Sequence, residues 1–141
     1  MNKNLQKGIL TEQRCILKCL ECGFNVSTPL LDERYDFLLD VNGKICKVQV
    51  KTSRWTNEKK EAFCFNCKST HAISKGNKIL PYTKDEIDFF MTEKNGNFYL
   101  VPVEGNTSQK TLRLVSPKTG QKTGFSLAKD YLFEEVIKTI G

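Results

Sequence analysis

The sequence predicts an α+β (α/β) fold, a mixed central β-sheet flanked by helices. Three observations predict it. An apolar pattern at helical spacing opens the chain, and another closes it. Between them, Asn-Gly dipeptides at 42–43 and 95–96 each separate two strand-like runs. The 141 residues are enough for one domain with a real core, so a single domain over 1–141 is expected.

The opening pattern predicts a helix over 4–23. Leu5, Ile9, Ile16, Leu17 and Leu20 recur near helical spacing, Cys15 and Cys19 fall beside Ile16 and Leu20, and Gly23 closes the helix. Lys7-Gly8 interrupts the pattern, so the first turn is expected to fray. Residues 24–29 read as a short strand. Tyr35 to Val41 is a second strand, Asn42-Gly43 a type I′ turn, and Lys44 to Lys51 the return strand. On that strand Ile45, Lys47, Gln49 and Lys51 share one face, while Cys46, Val48 and Val50 share the other. Counting back from the turn sets Asp36 level with Gln49 to Lys51.

Glu61 to Asn66 is the next strand, with Phe63 and Phe65 on one side. Residues 68–71 and 74–78 read as a polar, basic loop, and Thr83 to Glu86 as a helical turn. Ile87 to Met91 and Asn97 to Val103 are two strands whose continuous hydrophobicity predicts a central, buried position. Gly105 to Gly124 is long for a loop and reads as partly strand-like around Leu112-Arg113-Leu114. Phe125 to Ile140 is expected to close the chain as a helix carrying Leu127, Tyr131, Leu132, Val136 and Ile140.

Composition bounds the function. Hydrophobic residues make up 39% and charged residues 27%, ordinary values for a globular chain. No apolar run approaches the ~20 residues that span a bilayer, and the N-terminus lacks a signal-peptide core. A cytoplasmic location and no membrane partner are expected. The net charge of +6 is unevenly spread: residues 41–84 hold 10 Lys/Arg and 2 acids, against 5 and 6 before them and 7 and 8 after. A polyanion is the natural partner, although a solvated lysine-rich surface would look the same. Six cysteines include Cys19-x-x-Cys22 and Cys64-x-x-Cys67, which could make a four-thiolate zinc site or be free thiols in a reducing compartment. Cys15 and Cys19 on an apolar helix face favour free thiols. The single histidine, His71, excludes a multi-histidine metal site.

The end of the first hairpin carries the chemistry. A carboxylate and an amide oxygen are hard ligands suited to Mg²⁺, and a lysine beside them can orient water or steady charge on a phosphate. The spacing Asp36-(x12)-Gln49-x-Lys51 resembles the core of the PD-(D/E)XK nuclease superfamily, with Tyr35 in place of the proline and Gln49 in place of the second acid. Further residues narrow the resemblance to the small group I intron-associated homing endonucleases of that superfamily. They run from Lys7-Gly8 and Glu12 through Gly23 to Val26, Arg34 to Asp36 and Val48 to Thr52. They continue through Ile87 to Phe90, Tyr99 to Val103, Leu112 to Leu114, Gly120 to Lys122 and Ala128 to Tyr131.

The resemblance implies a restriction-endonuclease-like core that hydrolyses double-stranded DNA with Mg²⁺, Mn²⁺ substituting, in a homo-oligomeric dimer or tetramer. It implies Asp36 as principal metal ligand and Gln49 at the second-acid position. Glu12 and the Val50 carbonyl would complete the metal shell, and Lys51 would position water or phosphate. DNA contacts are expected from Thr52, Ser53, Arg54, Lys68, Lys75, Lys110, Arg113, Gln121 and Lys122. Trp55 could stack on a base or pack within its strand. A junction-selective nuclease on the same core, and a DNA-binding module without catalysis, are the alternatives.

Overall fold

A computed structural model describes residues 2–73 and 76–141. Helix α1 spans Lys3–Glu21. Asn2 caps it, its Oδ1 accepting from the Asn4 and Leu5 amides at 2.9 and 3.2 Å. With that cap the first turn holds and the helix runs through Gly8, contrary to the expected fraying. At the far end Cys22 N donates to the Lys18 carbonyl, and Gly23 takes φ 87°.

The buried face of α1 is not the leucine stripe. Thr11, Cys15 and Cys19 are buried, whereas Leu5, Ile9, Leu17 and Leu20 are each about half exposed or more. Small side chains let the helix lie close against β1, β3 and β8, and the leucines fall to the side.

The main sheet has five strands: β1 (Asn25–Ser27), β2 (Phe37–Val41), β3 (Lys44–Val50), β8 (Phe89–Lys94) and β9 (Asn97–Pro102). They lie in that order, with β3 and β8 parallel and the other pairs antiparallel, which is the mixed sheet the sequence predicts. Both Asn-Gly turns form. Asn42 and Gly43 take φ 53° and 97°, and Asn95 and Gly96 take 52° and 82°. Each is tied by an acid three residues before its glycine: Asp40 Oδ1 accepts Gly43 N, and Glu93 Oε2 accepts Gly96 N, both at 2.8 Å.

The long connection between β3 and β8 supplies four more strands: β4 (Arg54–Trp55), β5 (Ala62–Asn66), β6 (Lys68–Ile73) and β7 (Gly76–Pro81). With β10 (Gln109–Arg113), β5 and β4 form a second sheet in the order β10-β5-β4. Strands β6 and β7 form a two-stranded ribbon, so the basic segment is not a loop. Pairing satisfies its backbone groups, which a loop would leave to water. Ser74 and Lys75 lie outside the described residues.

Two cores follow from the alternation of the main sheet. Phe37, Leu39, Val48, Val50, Met91 and Leu100 face α1 and the C-terminal segment. Phe90, Tyr99 and Val101 face the second sheet, against Phe63, Phe65 and Leu112. Cys19 belongs to the first core and Cys67 to the second, so the two Cys-x-x-Cys pairs do not share one site. Among the described residues no three His, Cys, Asp or Glu side chains converge, and the six thiols are free. No described helix is long and apolar enough to cross a membrane.

Two expectations fail at the C-terminal side. Strand β9 lies at the sheet edge rather than its centre. The expected helix over 125–140 is three short pieces: 3₁₀ turns at Ala128–Tyr131 and Ile137–Thr139 around α2 (Phe133–Val136). The second has a local cause. Leu132 is extended and bridges Tyr99, and Leu127 bridges Arg113, so strand-edge pairing interrupts the helix. The break inserts Phe133, fully buried, into the first core. Phe133→Ala is expected to cost about 3–5 kcal/mol, while Leu17→Ser changes stability by no more than about 0.5 kcal/mol, both checked by urea unfolding.

Candidate active site

Asp36 stands where β2 begins, and two hydrogen bonds fix it against the end of β3. Its amide donates to the Val48 carbonyl at 2.8 Å, and its Oδ2 accepts the Val50 amide at 2.7 Å. The register pairs Phe37 with Val48, which sets Asp36 level with Gln49, as the turn count predicted. Gln49 is half-buried, and its Nε2 donates a long 3.4 Å bond to the Val50 carbonyl. On this face the second sheet covers β8 and β9 but leaves the β2–β3 end polar, with Lys47 exposed and Ile45 half-exposed.

A cleft of about 380 Å³ opens there, its walls including Glu33, Arg34, Asp36, Gln49, Ser69 and Tyr82. Glu12, on α1, and Lys51, the residue after β3, lie near enough to Asp36 to feel its charge. Burial pushes the Asp36 carboxyl up, while the Val50 amide and Lys51 pull it down less strongly. Glu12 is raised too, first by burial and then by the Asp36 charge. Burial lowers Lys51, with Asp36 opposing. The site therefore gathers two partly desolvated carboxylates, one ammonium group that Asp36 favours, an amide and a carbonyl.

Asp32, Glu33, Arg34, Ser69 and Tyr82 line the cleft and are the residues that sequence reasoning missed as site residues. Arg34 lies two positions before Asp36, a signal that was available. Tyr82 had none, because the ribbon carries it in from far along the chain. The Tyr82 ring is buried, with the Arg34 guanidinium 4.0 Å and the Lys51 Nζ 4.8 Å from its centroid. The same two cations hold the base of the ribbon, one on each strand. Lys51 Nζ donates to the Lys68 carbonyl at 3.3 Å, and Arg34 Nη2 to the Leu80 carbonyl at 3.2 Å. Arg34 Nε also lies 3.5 Å from Glu86 Oε2.

The expected DNA-contact residues divide. Ser53 is buried, its hydroxyl donating to the Glu93 carbonyl at 2.9 Å, so it is a structural residue and not a phosphate contact. Thr52 is half-buried and bonds the Thr11 hydroxyl, linking α1 to the end of β3. Arg54, Lys68 and Lys122 are exposed. Lys110, Arg113 and Gln121 do not join the Asp36 cleft. They line a separate cleft of about 640 Å³ beside β10. Lys75 lies outside the described residues. Trp55 is half-buried and packs edge-on against Phe63.

The donor set fits a hard divalent cation. Two carboxylates, an amide oxygen and a carbonyl are oxygen ligands of low total charge, suited to a cation that keeps several waters. Burial disfavours both carboxylates, and the Asp36 charge adds to the cost at Glu12, so a cation held there would offset an unfavourable burial of charge.

A family model described as PD-(D/E)XK endonuclease matches residues 2–134. No curated protein sequence matches the chain. Among solved structures, the bacterial homing endonuclease I-Ssp6803I is similar, with a TM-score of 0.69 and 26% identity over 99% of this chain and 95% of that one.

The raised carboxyls also set a stability prediction. The folded state holds those protons more tightly than the unfolded chain. Stability is therefore fullest below ordinary carboxyl values and falls as pH climbs from there through the raised values. At neutral pH the ionised pair costs the native state, so Asp36→Asn should melt at or above the wild-type temperature. Millimolar Mg²⁺ should raise the melting temperature of wild type and leave Asp36→Asn unmoved, read by scanning calorimetry.

Proposed function

The chain belongs to the PD-(D/E)XK endonuclease family, and on that premise we propose that it hydrolyses phosphodiester bonds of double-stranded DNA with Mg²⁺, in the manner of a homing endonuclease. The observation that carries the reading is the Asp36 carboxylate, locked by the Val50 amide level with Gln49 beside an open polar cleft. The structural similarity to a homing endonuclease over nearly the whole of both chains favours that class over a junction-selective nuclease.

In this reading Asp36, Glu12, the Gln49 amide oxygen and the Val50 carbonyl would hold the cation. When bound, it supplies Lewis-acid polarisation of the phosphate and a more acidic water. Lys51 leaves the Lys68 carbonyl to donate a hydrogen bond to the attacking water or to a non-bridging phosphate oxygen, where negative charge grows. Arg34 lines the approach and offers remaining guanidinium donors to a neighbouring phosphate. Thr52, Lys68 and Lys122 contribute charge or hydrogen bonds without sequence preference. Mn²⁺ is expected to substitute for Mg²⁺, and the location is expected to be cytoplasmic.

A double-strand cut needs two sites. The exposed stripe of Leu5, Ile9 and Leu20 on α1 supports a homo-oligomer, since a stripe this apolar is stabilised by burial against another copy.

The test is cleavage of a supercoiled plasmid library and of a synthetic four-way junction in Mg²⁺ and Mn²⁺. Wild type should linearise plasmids that carry its target, and Lys51→Ala should be slower by a hundredfold or more, roughly the loss seen when a charge-stabilising donor is removed. Preference for the junction would instead select the structure-specific nuclease. Salt-sensitive binding without cutting would leave a DNA-binding module.

Assembly is tested separately. Light scattering should show Ile9→Glu with a smaller mass than wild type at equal concentration. An unchanged mass would place the interface elsewhere.

A further inference from the structure

The second sheet has an inner face in the core and an outer face that the site chemistry leaves unused. Arg54 and Thr111 both pair with Cys64, Gln109 pairs with Asn66, and Arg113 with Ala62. Alternation then sets Arg54, Asn66, Gln109, Thr111 and Arg113 on the outer face, and Phe63, Phe65 and Leu112 on the inner one. Ala62 and Cys64 form a small, buried floor, above which Arg54, Asn66, Gln109 and Thr111 are exposed. Arg54 Nη2 donates to Gln109 Oε1 at 3.0 Å, bridging the two outer strands across β5.

We propose that this face reads base edges in the major groove, with Arg54 selecting guanine and Gln109 selecting adenine at neighbouring positions close to the cut. The inference rests on the nuclease reading above.

Residue chemistry supports it. Arginine reads the two guanine acceptors with its fork, and glutamine reads the adenine donor–acceptor pair. Their mutual bond leaves both free to do so. Arg54 spends one of five donors, Gln109 Oε1 keeps a lone pair, and its Nε2 donors are unused. The bond also holds two long side chains in place before DNA arrives, which lowers the entropy lost on binding.

Placement supports it as well. A narrow, strand-built surface is the kind that enters a major groove. Arg54 follows Lys51 by three residues, so their Cα atoms lie within about 11 Å, roughly three base steps. A duplex with its scissile phosphate at Asp36 therefore brings nearby base edges within reach of Arg54. Lys110 is excluded by the same register: it falls on the inner side, its Nζ 2.9 Å from Glu104 and over the Tyr131 ring.

The experiment is selection of cleaved sites from a randomised duplex library in Mg²⁺, with wild type, Arg54→Ala, Gln109→Ala, Gln109→Glu and Lys122→Ala. Arg54→Ala and Gln109→Ala should each flatten the preference at one base pair within about four of the cut, lowering discrimination there by about ten- to a hundredfold. Gln109→Glu should move its position from adenine toward cytosine, which a merely structural role would not do. Lys122→Ala should weaken binding evenly across sequences. Wild type selecting no site at all would overturn the nuclease reading itself. A wild-type site whose preferences persist in Arg54→Ala, Gln109→Ala and Gln109→Glu, all folded by circular dichroism, would overturn this inference alone.

Discussion

The hydrogen bond from the Val50 amide to Asp36 Oδ2 holds the site together, and the rest of the fold makes sense around it. A carboxylate at a strand start is ordinarily a solvated end. Here it takes an amide at the end of the neighbouring strand, where Lys51 N has already turned to the Met91 carbonyl of β8. The bond therefore stands where the antiparallel hairpin meets the parallel pair. Moving Asp36 by one residue would turn its side chain to the other face and away from the cleft. The tight Asn42-Gly43 turn fixes that register, and the packing of Phe37, Val48 and Met91 against α1 keeps it.

That dependence explains which parts were legible in the sequence. Turn geometry is local, so Asn42-Gly43 and Asn95-Gly96 announced both hairpins, and counting from the first set Asp36 level with Gln49. Burial on a helix is not local. Leucines outrank threonine and cysteine on any hydrophobicity scale, yet Thr11 and Cys15 face the sheet because a close helix–sheet contact favours small side chains. The C-terminal segment misled for a related reason. Its apolar spacing suited a helix, but the open edge of β9 was the stronger attraction for Leu132. The ribbon was hidden by composition, since lysines and serines read as loop unless the partner strand is known. Ser53 misled in a simpler way: a hydroxyl beside a cation suggests phosphate, and only the fold shows it spent on Glu93.

The cations of the site serve two roles. Lys51 and Arg34 grip the Lys68 and Leu80 carbonyls while lying over the Tyr82 ring, so the base of the ribbon and the polar end of the hairpin form one connected unit. A phosphate in the cleft competes with those carbonyls for the same donors, and an anion is the stronger acceptor. Loss of the two carbonyl bonds on phosphate arrival would leave the ribbon base held by backbone pairing and by Tyr82 N to the Cys67 carbonyl. On the nuclease reading, phosphate binding would therefore be linked to ribbon position through these two hydrogen bonds.

Gln49 in place of an acid is best understood through charge. Burial raises both Asp36 and Glu12, and the Asp36 charge raises Glu12 further. A third carboxylate at position 49 would add to that repulsion in a partly desolvated site and would sit beside the Val50 carbonyl, which offers no donor to offset it. The amide avoids this: its Nε2 bonds the carbonyl while its oxygen stays free to ligate. On the nuclease reading the consequence would be a weaker hold on a divalent cation, because one negative charge fewer would face it. Such a site is expected to fill most readily when the scissile phosphate brings the missing charge, so that cation and DNA bind with mutual support.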